Sequence, residues 1–295
     1  MRSRSALPGA RRDDPAWRGG PVLALLVGGV GLAALAGMAR RNTRRGDDAD
    51  PVGYAPLDTP KQVARDVFVV DSVLPGPIGR VITARMTVLR LPNGALVLHS
   101  PTRLTASLHD ALAALGPIRH LVAPNAAHWM FVRDWQAVLP DAIAWAAPGL
   151  RRRAQVRRSG VRFDHDLTPD APEAWRGAIT LVEVPGGFGF REMALFHGAS
   201  RTLVLTDLVM NLEAARLPIL LRPLARAFGS VAPDGMPPPH VRALFRRRLW
   251  DARLAAERLL ACRPERVVFA HGQWFESDGT ARLATSLRWL LEPQP

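Results

Sequence analysis

Four short polar groups, each set directly after an apolar run, hold the residues of this chain best suited to chemistry. His99-Ser100-Pro101 follows the run ending at Leu98, and Pro124-Asn125-Ala126-Ala127-His128 follows the run ending at Ala123. Asp207 follows Thr202 to Thr206, and His271-Gly272 follows Val267 to Ala270. Imidazole changes charge near neutral pH and is the commonest metal ligand, while carboxylates and carboxamides orient protons and hold cations. In a layered α/β domain, polar residues just past strand ends meet where loops converge on one edge. The single Cys262 excludes an intramolecular disulfide framework and a Cys-cluster zinc site.

Two groups of strands must position these residues. Val67 to Val70, Val81 to Leu91 and Ala95 to Leu98 have strand character, the last two joined at Pro92-Asn93-Gly94. Thr105 caps a short helix to Leu115, Ile118 to Ala123 is a buried strand stopped by Pro124, and a helix over Ala127 to Val138 precedes a strand at Ala142 to Ala147. The second group is Ala178 to Val184, Glu192 to Phe196 and Thr202 to Thr206, with a turn at His197 to Ser200. Helices over Leu212 to Phe228 and Pro239 to Leu260, a strand at Arg266 to Ala270 and a helix near Thr280 to Leu291 complete the pattern. Two strand groups, each followed by helices, predict two sheets packed between helical layers.

The order of elements and the motifs LVLHSP, LVAPNAAH, LVLTDLV and VVFAHG together resemble the metallo-β-lactamase superfamily, and most closely a domain-of-unknown-function branch of it with a degenerate metal-binding motif. The resemblance covers about Val81 to Leu291 and implies an α/β fold, a four-layer αββα sandwich. The superfamily surrounds one or two metals with a strand-end HxHxDH motif, a later His, a strand-end Asp and a final GHG-like His. With His128 aligned to the last His of HxHxDH, Ala123 and Asn125 stand where the first two His belong, and Ala127 replaces the Asp. Pro185-Gly186-Gly187 resembles the later PGH motif with Gly187 in place of its His.

The resemblance therefore implies a reduced ligand set of His128, Asp207 and His271, all from the second site. Two His and one carboxylate suit one Zn ion with an open water position, or Fe(II). A bound water there would be acidified toward neutral pH. Asn125 and His99 are the catalytic candidates, Asn125 to orient water or substrate and His99 as a proton carrier or a group supporting the ligands. The competing reading makes all of them structural: His128 packs or caps at a helix start, Asp207 binds backbone N–H groups, and His271 is bonded in a tight loop. His109, His120, His165, His197 and His240 read as ordinary core, turn or surface residues, the carboxylates around His165 as a solvated loop, and the glycines at 186, 187 and 189 lack the strand-helix setting of a dinucleotide site.

Outside this region, residues 20–38 carry no charge and are about long enough to span a bilayer as a helix, with arginines on both sides. The chain is thus expected to hold a basic tail at 1–19, a transmembrane anchor at 20–38, a Pro-containing linker at 39–65 and the folded domain at 66–295. A cleaved signal peptide is the rival reading of 20–38. The dense ARRNTRR after the span points to a cytoplasmic domain on a single-pass membrane protein. The net charge of +13 comes almost wholly from Arg, Lys61 being the one lysine, and no aromatic residues are interleaved in the Arg clusters, so a specific nucleic-acid partner is not expected.

Two functions lead from the sequence, a membrane-tethered hydrolase-like protein with one metal and an unidentified small-molecule substrate, or a metal-free binding or scaffold module on the same fold; a third, anionic-lipid or nucleic-acid binding through the arginines, would show a steep salt dependence. The apolar, Arg-spaced segment Leu217 to Phe228 is either a helix seam within the domain, a pocket lining, or a surface resting on anionic headgroups through Arg222 and Arg226.

Overall fold

A computed structural model describes residues 53–76, 79–217 and 219–292. The expected tail, transmembrane anchor and first part of the linker lie outside the described residues. Among the described residues, no helix is long and apolar enough to cross a membrane.

The first sheet has seven strands in chain order: β1 (Lys61–Ala64), β2 (Val67–Gly76), β3 (Gly79–Arg90), β4 (Leu96–His99), β5 (Ile118–Ala123), β6 (Ile143–Ala146) and β7 (His165–Asp166). It begins antiparallel and becomes parallel from β4 onward. The second sheet runs β11 (Arg266–Val268), β10 (Thr202–Val204), β9 (Arg191–His197), β8 (Ile179–Pro185), with β10 and β11 parallel. Parallel neighbours end at the same edge, so the residues that follow β4, β5 and β6, and those that follow β10 and β11, are gathered at common rims.

Three apolar layers hold this arrangement. Val67, Leu89, Val97 and Val122 of the first sheet meet Leu181, Met193, Leu195 and Val204 of the second in a core between the sheets. The other face of the first sheet packs Leu98, Leu121 and Ala144 against Leu108 and Leu112 of α1 (Ala106–Ala113), Val132 and Trp135 of α2 (Val132–Val138) and Val156 of α3 (Ala154–Ser159). The outer face of the second sheet packs Val184, Ala194 and Val267 against α5 (Pro239–Arg246), α6 (Leu249–Ala261), α7 (Gly279–Ser286) and α8 (Arg288–Leu291). The layers are helix, sheet, sheet, helix, as the two strand groups predicted.

Several local expectations shift. β1 lies within the stretch expected to be linker; its four residues are only weakly apolar, and it forms by pairing with β2 while Lys61 reaches Asp71 at 2.6 Å. The helix expected from Ala127 starts at Val132, because the Asn125 side-chain oxygen accepts from the backbone N–H groups of Ala127 and His128 and holds both in a turn. The single helix expected over Leu212 to Phe228 is broken into 3-10 turns at Ala214–Arg216 and Ile219–Leu221 and a short α4 (Arg222–Ala227), with Pro223 in the first turn of α4. The long helix expected from Pro239 is divided at Arg247 and Arg248, where Arg247 turns its guanidinium over the Phe188 ring at 4.4 Å. Thr105 caps α1 as expected, its hydroxyl accepting from Leu108 N at 3.1 Å.

Candidate metal centre

The rim of the sandwich brings together three of the residues singled out by sequence. His128 Nε2 lies 3.3 Å from Asp207 Oδ1, and His271 Nε2 lies 3.4 Å from the same oxygen. One ligand atom from each residue falls within 4.8 Å of the other two. Four-coordinate metals with bonds of about 2.0–2.2 Å separate their ligand atoms by roughly 3.4 Å, and the two spacings to Asp207 match that separation. The Asp207 and His271 side chains are each 3% exposed and His128 is 9% exposed, which makes His128 the side facing solvent.

The tautomer of His271 carries the fit further. Its Nδ1 donates to the Thr83 carbonyl at 2.6 Å, and a carbonyl oxygen only accepts. In the neutral ring, Nε2 is then a bare acceptor facing a carboxylate oxygen, and it has no hydrogen-bond partner. Two acceptors that face each other in a buried place call for a cation or an added proton between them. The loop that aims His271 needs glycine at 272, which has φ of +90° and whose Cβ would stand 2.1 Å from the Asn211 carbonyl oxygen. Arg85, buried in β3, ties this loop to the first sheet by donating to the carbonyls of Phe269 and Gly272 at 2.9 and 2.8 Å while pairing with Asp71 at 2.7 Å.

His128 is oriented from behind by Ser100, whose hydroxyl lies 2.7 Å from Nδ1. Ser100 sits at the end of β4 with φ of +57°, a conformation costly for a residue with a side chain, and this turn presents its hydroxyl to the imidazole. Burial opposes charge on His128, but the adjacent Asp207 and Glu192 carboxylates outweigh it and raise its pKa. For Asp207 burial alone would raise the pKa, yet His128 and His271 hold the carboxyl well below its ordinary range.

Asn125 is fully buried and saturated. Its Nδ2 donates to Asp207 Oδ2 at 2.8 Å and to Thr206 Oγ1 at 2.9 Å. It therefore fixes the carboxylate and the His128 turn together. His99 is also buried; burial above all, and then His128, push its pKa down to about 3, and its Nε2 has no partner. At neutral pH it is an uncharged ring with no proton to lend as imidazolium.

Glu192 was not singled out by sequence. It lies on β9 with no exposure, and its carboxylate accepts from the backbone of Thr206, Asp207 and Leu208 at 2.7, 2.9 and 3.1 Å. It clamps the turn that carries Asp207. Burial and then the Asp207 charge raise its pKa, while the backbone donors act in the opposite direction. The signal in the sequence was a lone carboxylate inside an otherwise apolar strand, Glu192-Met193-Ala194-Leu195-Phe196.

Gly187 lies where the resemblance expects another His. A Cβ there would stand 2.6 Å from Arg247 Cδ and 2.7 Å from Arg247 Cβ, so the Arg247 side chain occupies the space a larger residue would need. The carboxylates around His165 are paired with arginines: Arg151 with Asp166 and Arg162 with Asp164.

No family model matches the sequence, and no curated protein matches it. Solved structures do match. A metallo-β-lactamase from Pontibacter korlensis is 14% identical with a TM-score of 0.53, over 79% of this chain and 99% of that one. The metallo-β-lactamase FIM-1 from Pseudomonas aeruginosa in its mono-zinc form is 14% identical with a TM-score of 0.51, over 77% and 94%. The Flv1 flavodiiron core from Synechocystis sp. PCC6803, a metal-soaked structure, is 13% identical with a TM-score of 0.55, over 79% of this chain and 61% of that one. At these identities the likeness shows the fold: the described domain has the metallo-β-lactamase fold.

Proposed function

We propose that the protein holds one Zn or Fe ion on His128, Asp207 and His271 and acts as a hydrolase on a small molecule, tethered to a membrane by residues 20–38. The observation that carries the metal reading is the buried Nε2 of His271, which faces Asp207 Oδ1 at 3.4 Å while its Nδ1 is committed to Thr83. An ion at these three ligands would supply Lewis acidity and a bound water acidified toward neutral pH.

The surrounding residues have definite duties in this reading. Ser100 holds the direction of the His128 ring, and Asn125 and Glu192 fix Asp207 from its other oxygen and from its backbone. His99 acts as an uncharged positioning group beside His128. Substrate approaches from the His128 side, the most exposed of the three ligands. The membrane tether is supported by the uncharged run 20–38 and the arginines around it; no specific nucleic-acid partner is proposed.

A second reading, a metal-free binding or scaffold module, is favoured by one observation. Asp207 and His128 can satisfy each other as a carboxylate and imidazolium, since the neighbouring carboxylates raise the pKa of His128. The two readings separate in one experiment. The full chain in detergent is stripped with chelator, reloaded with Zn or Fe, and assayed on chromogenic esters, thioesters, amides and phosphodiesters beside His271→Ala. Hydrolysis that returns on reloading and is absent from the variant supports the hydrolase. No turnover above background, with identical thermal stability with and without metal, supports the scaffold.

A further inference from the structure

We infer that the excursion between Leu212 and Ser230 is a second membrane contact, a small apolar and basic surface that docks on an anionic bilayer; this rests on the reading of residues 20–38 as the anchor. The excursion is pinched at its base, where Leu212 N donates to the Ser230 carbonyl and Ala232 N donates to the Leu212 carbonyl. It carries three large apolar side chains turned outward: Ile219 at 74% exposure, Leu220 at 65% and Leu224 at 38%. A water-soluble surface scatters such residues singly, and a cluster within six positions marks a contact. Arg226 stands exposed among them as the headgroup-seeking companion expected of an interfacial segment, and Arg222, whose guanidinium donates to the Leu217 and Ala215 carbonyls, adds a second positive charge.

The position of this surface identifies its occupant. Arg216, at the foot of the cluster, donates to the Gly53 carbonyl at 2.7 Å and lies over the Tyr54 ring at 4.5 Å. Gly53 is the first described residue, so the described chain begins against Arg216, three positions before Ile219. Residues 39–52 can span at most about 50 Å when fully extended, so an anchor at 20–38 keeps this end of the domain within reach of the bilayer. The nearest carboxylate along the excursion, Glu213, is paired with Arg216 at 2.8 Å, which leaves the outward charge basic.

Docking there has a consequence for the metal centre. The excursion begins five positions after Asp207, and Asn211 at its root contacts both Gly272 and Gly235. A bilayer under Leu220 would therefore bear on the rim that holds Asp207 and His271.

The test places an environment-sensitive fluorophore at Leu220→Cys in a Cys262→Ser background of the full chain, reconstituted in vesicles of phosphatidylglycerol and phosphatidylethanolamine. A matched label at Gln155→Cys, an exposed position in the basic α3, serves as comparison. The expected result is a blue shift and a several-fold rise in emission at 220 alone, quenched by spin-labelled lipid and absent with phosphatidylcholine vesicles. Arg226→Gln should lower the docking equilibrium constant about fivefold, the loss of roughly one headgroup attraction. Protein that enters the vesicles with no response at 220 would leave the anchor standing and overturn the docking surface. Failure to enter any vesicle would overturn both. A response at 155 in place of 220, or a blue shift at 220 without vesicles, whether constant or growing with protein concentration, would assign the surface to another use and overturn the inference.

Discussion

His271 gives its Nδ1 proton to the carbonyl of Thr83 across 2.6 Å, and that one bond decides what the rest of the centre can do. It directs Nε2 at Asp207, the carboxylate that His128 also approaches. A ring fixed in this way has little rotational freedom left to lose when it takes up a ligand.

Asn125 tests whether the support of Asp207 is structural. Asn125→Ala strands buried polar groups on Asp207 and Thr206 and frees the His128 turn, so we expect a loss of about 2–4 kcal/mol in urea unfolding. Asn125→Asp sets a third carboxylate beside Asp207 and Glu192 and should be the less stable variant at neutral pH, recovering as the pH falls. Equal losses at all pH values would contradict this electrostatic account.

Arg85 predicts coupling between distant parts. Arg85→Met leaves the buried Asp71 with only the partly exposed Lys61 as a charged partner and releases the carbonyls of Phe269 and Gly272. A cost of about 3–5 kcal/mol is expected. Metal affinity should fall with it, measured by competition with a chromogenic chelator, because the loop that aims His271 is no longer tied to β3. Unchanged affinity in a folded variant would separate Arg85 from the centre.

His99 predicts the sign of a pH dependence. Its pKa falls from 6.5 to about 3 in the folded protein, so between those values the unfolded chain binds the extra proton. Stability from this group rises with pH across that window and is lost as the pH drops, at up to about 1.4 kcal/mol per unit. His99→Gln should flatten the stability profile over the window by up to that slope, whatever its effect on absolute stability. An unchanged slope would mean that His99 is not held neutral by burial.

Gly187 tests whether a second metal could be restored. Gly187→Ala pushes a methyl into Arg247 and should cost about 1–3 kcal/mol by overpacking. Gly187→His should cost more in a thermal melt and raise metal content by less than one equivalent. A stable His variant carrying a second ion would show that Arg247 yields easily.

The fold was legible where apolar runs were long and bounded. Ile118 to Ala123, stopped by Pro124, was read to the residue, and the turns after β5, β10 and β11 marked His128, Asp207 and His271 as rim residues. Local pattern failed where distant partners decide the outcome. β1 is a strand only because β2 lies beside it, and Glu192 shows in the sequence only as a lone carboxylate beside apolar residues, its partners supplied when the Asp207 turn folds onto it. The breaks in the helices at 212–228 and 246–249 follow proline placement and the Arg247 contact with Phe188, which apolar periodicity does not report.

Metal content tests the central claim most directly. The full chain purified without chelator, beside His128→Ala with His271→Ala, is digested and its metals are counted by mass spectrometry. The arrangement of His128, Asp207 and His271 predicts close to one Zn or Fe per chain, lost in the double variant. No metal in either protein, with equal stability, would contradict it and leave a metal-free module on this fold.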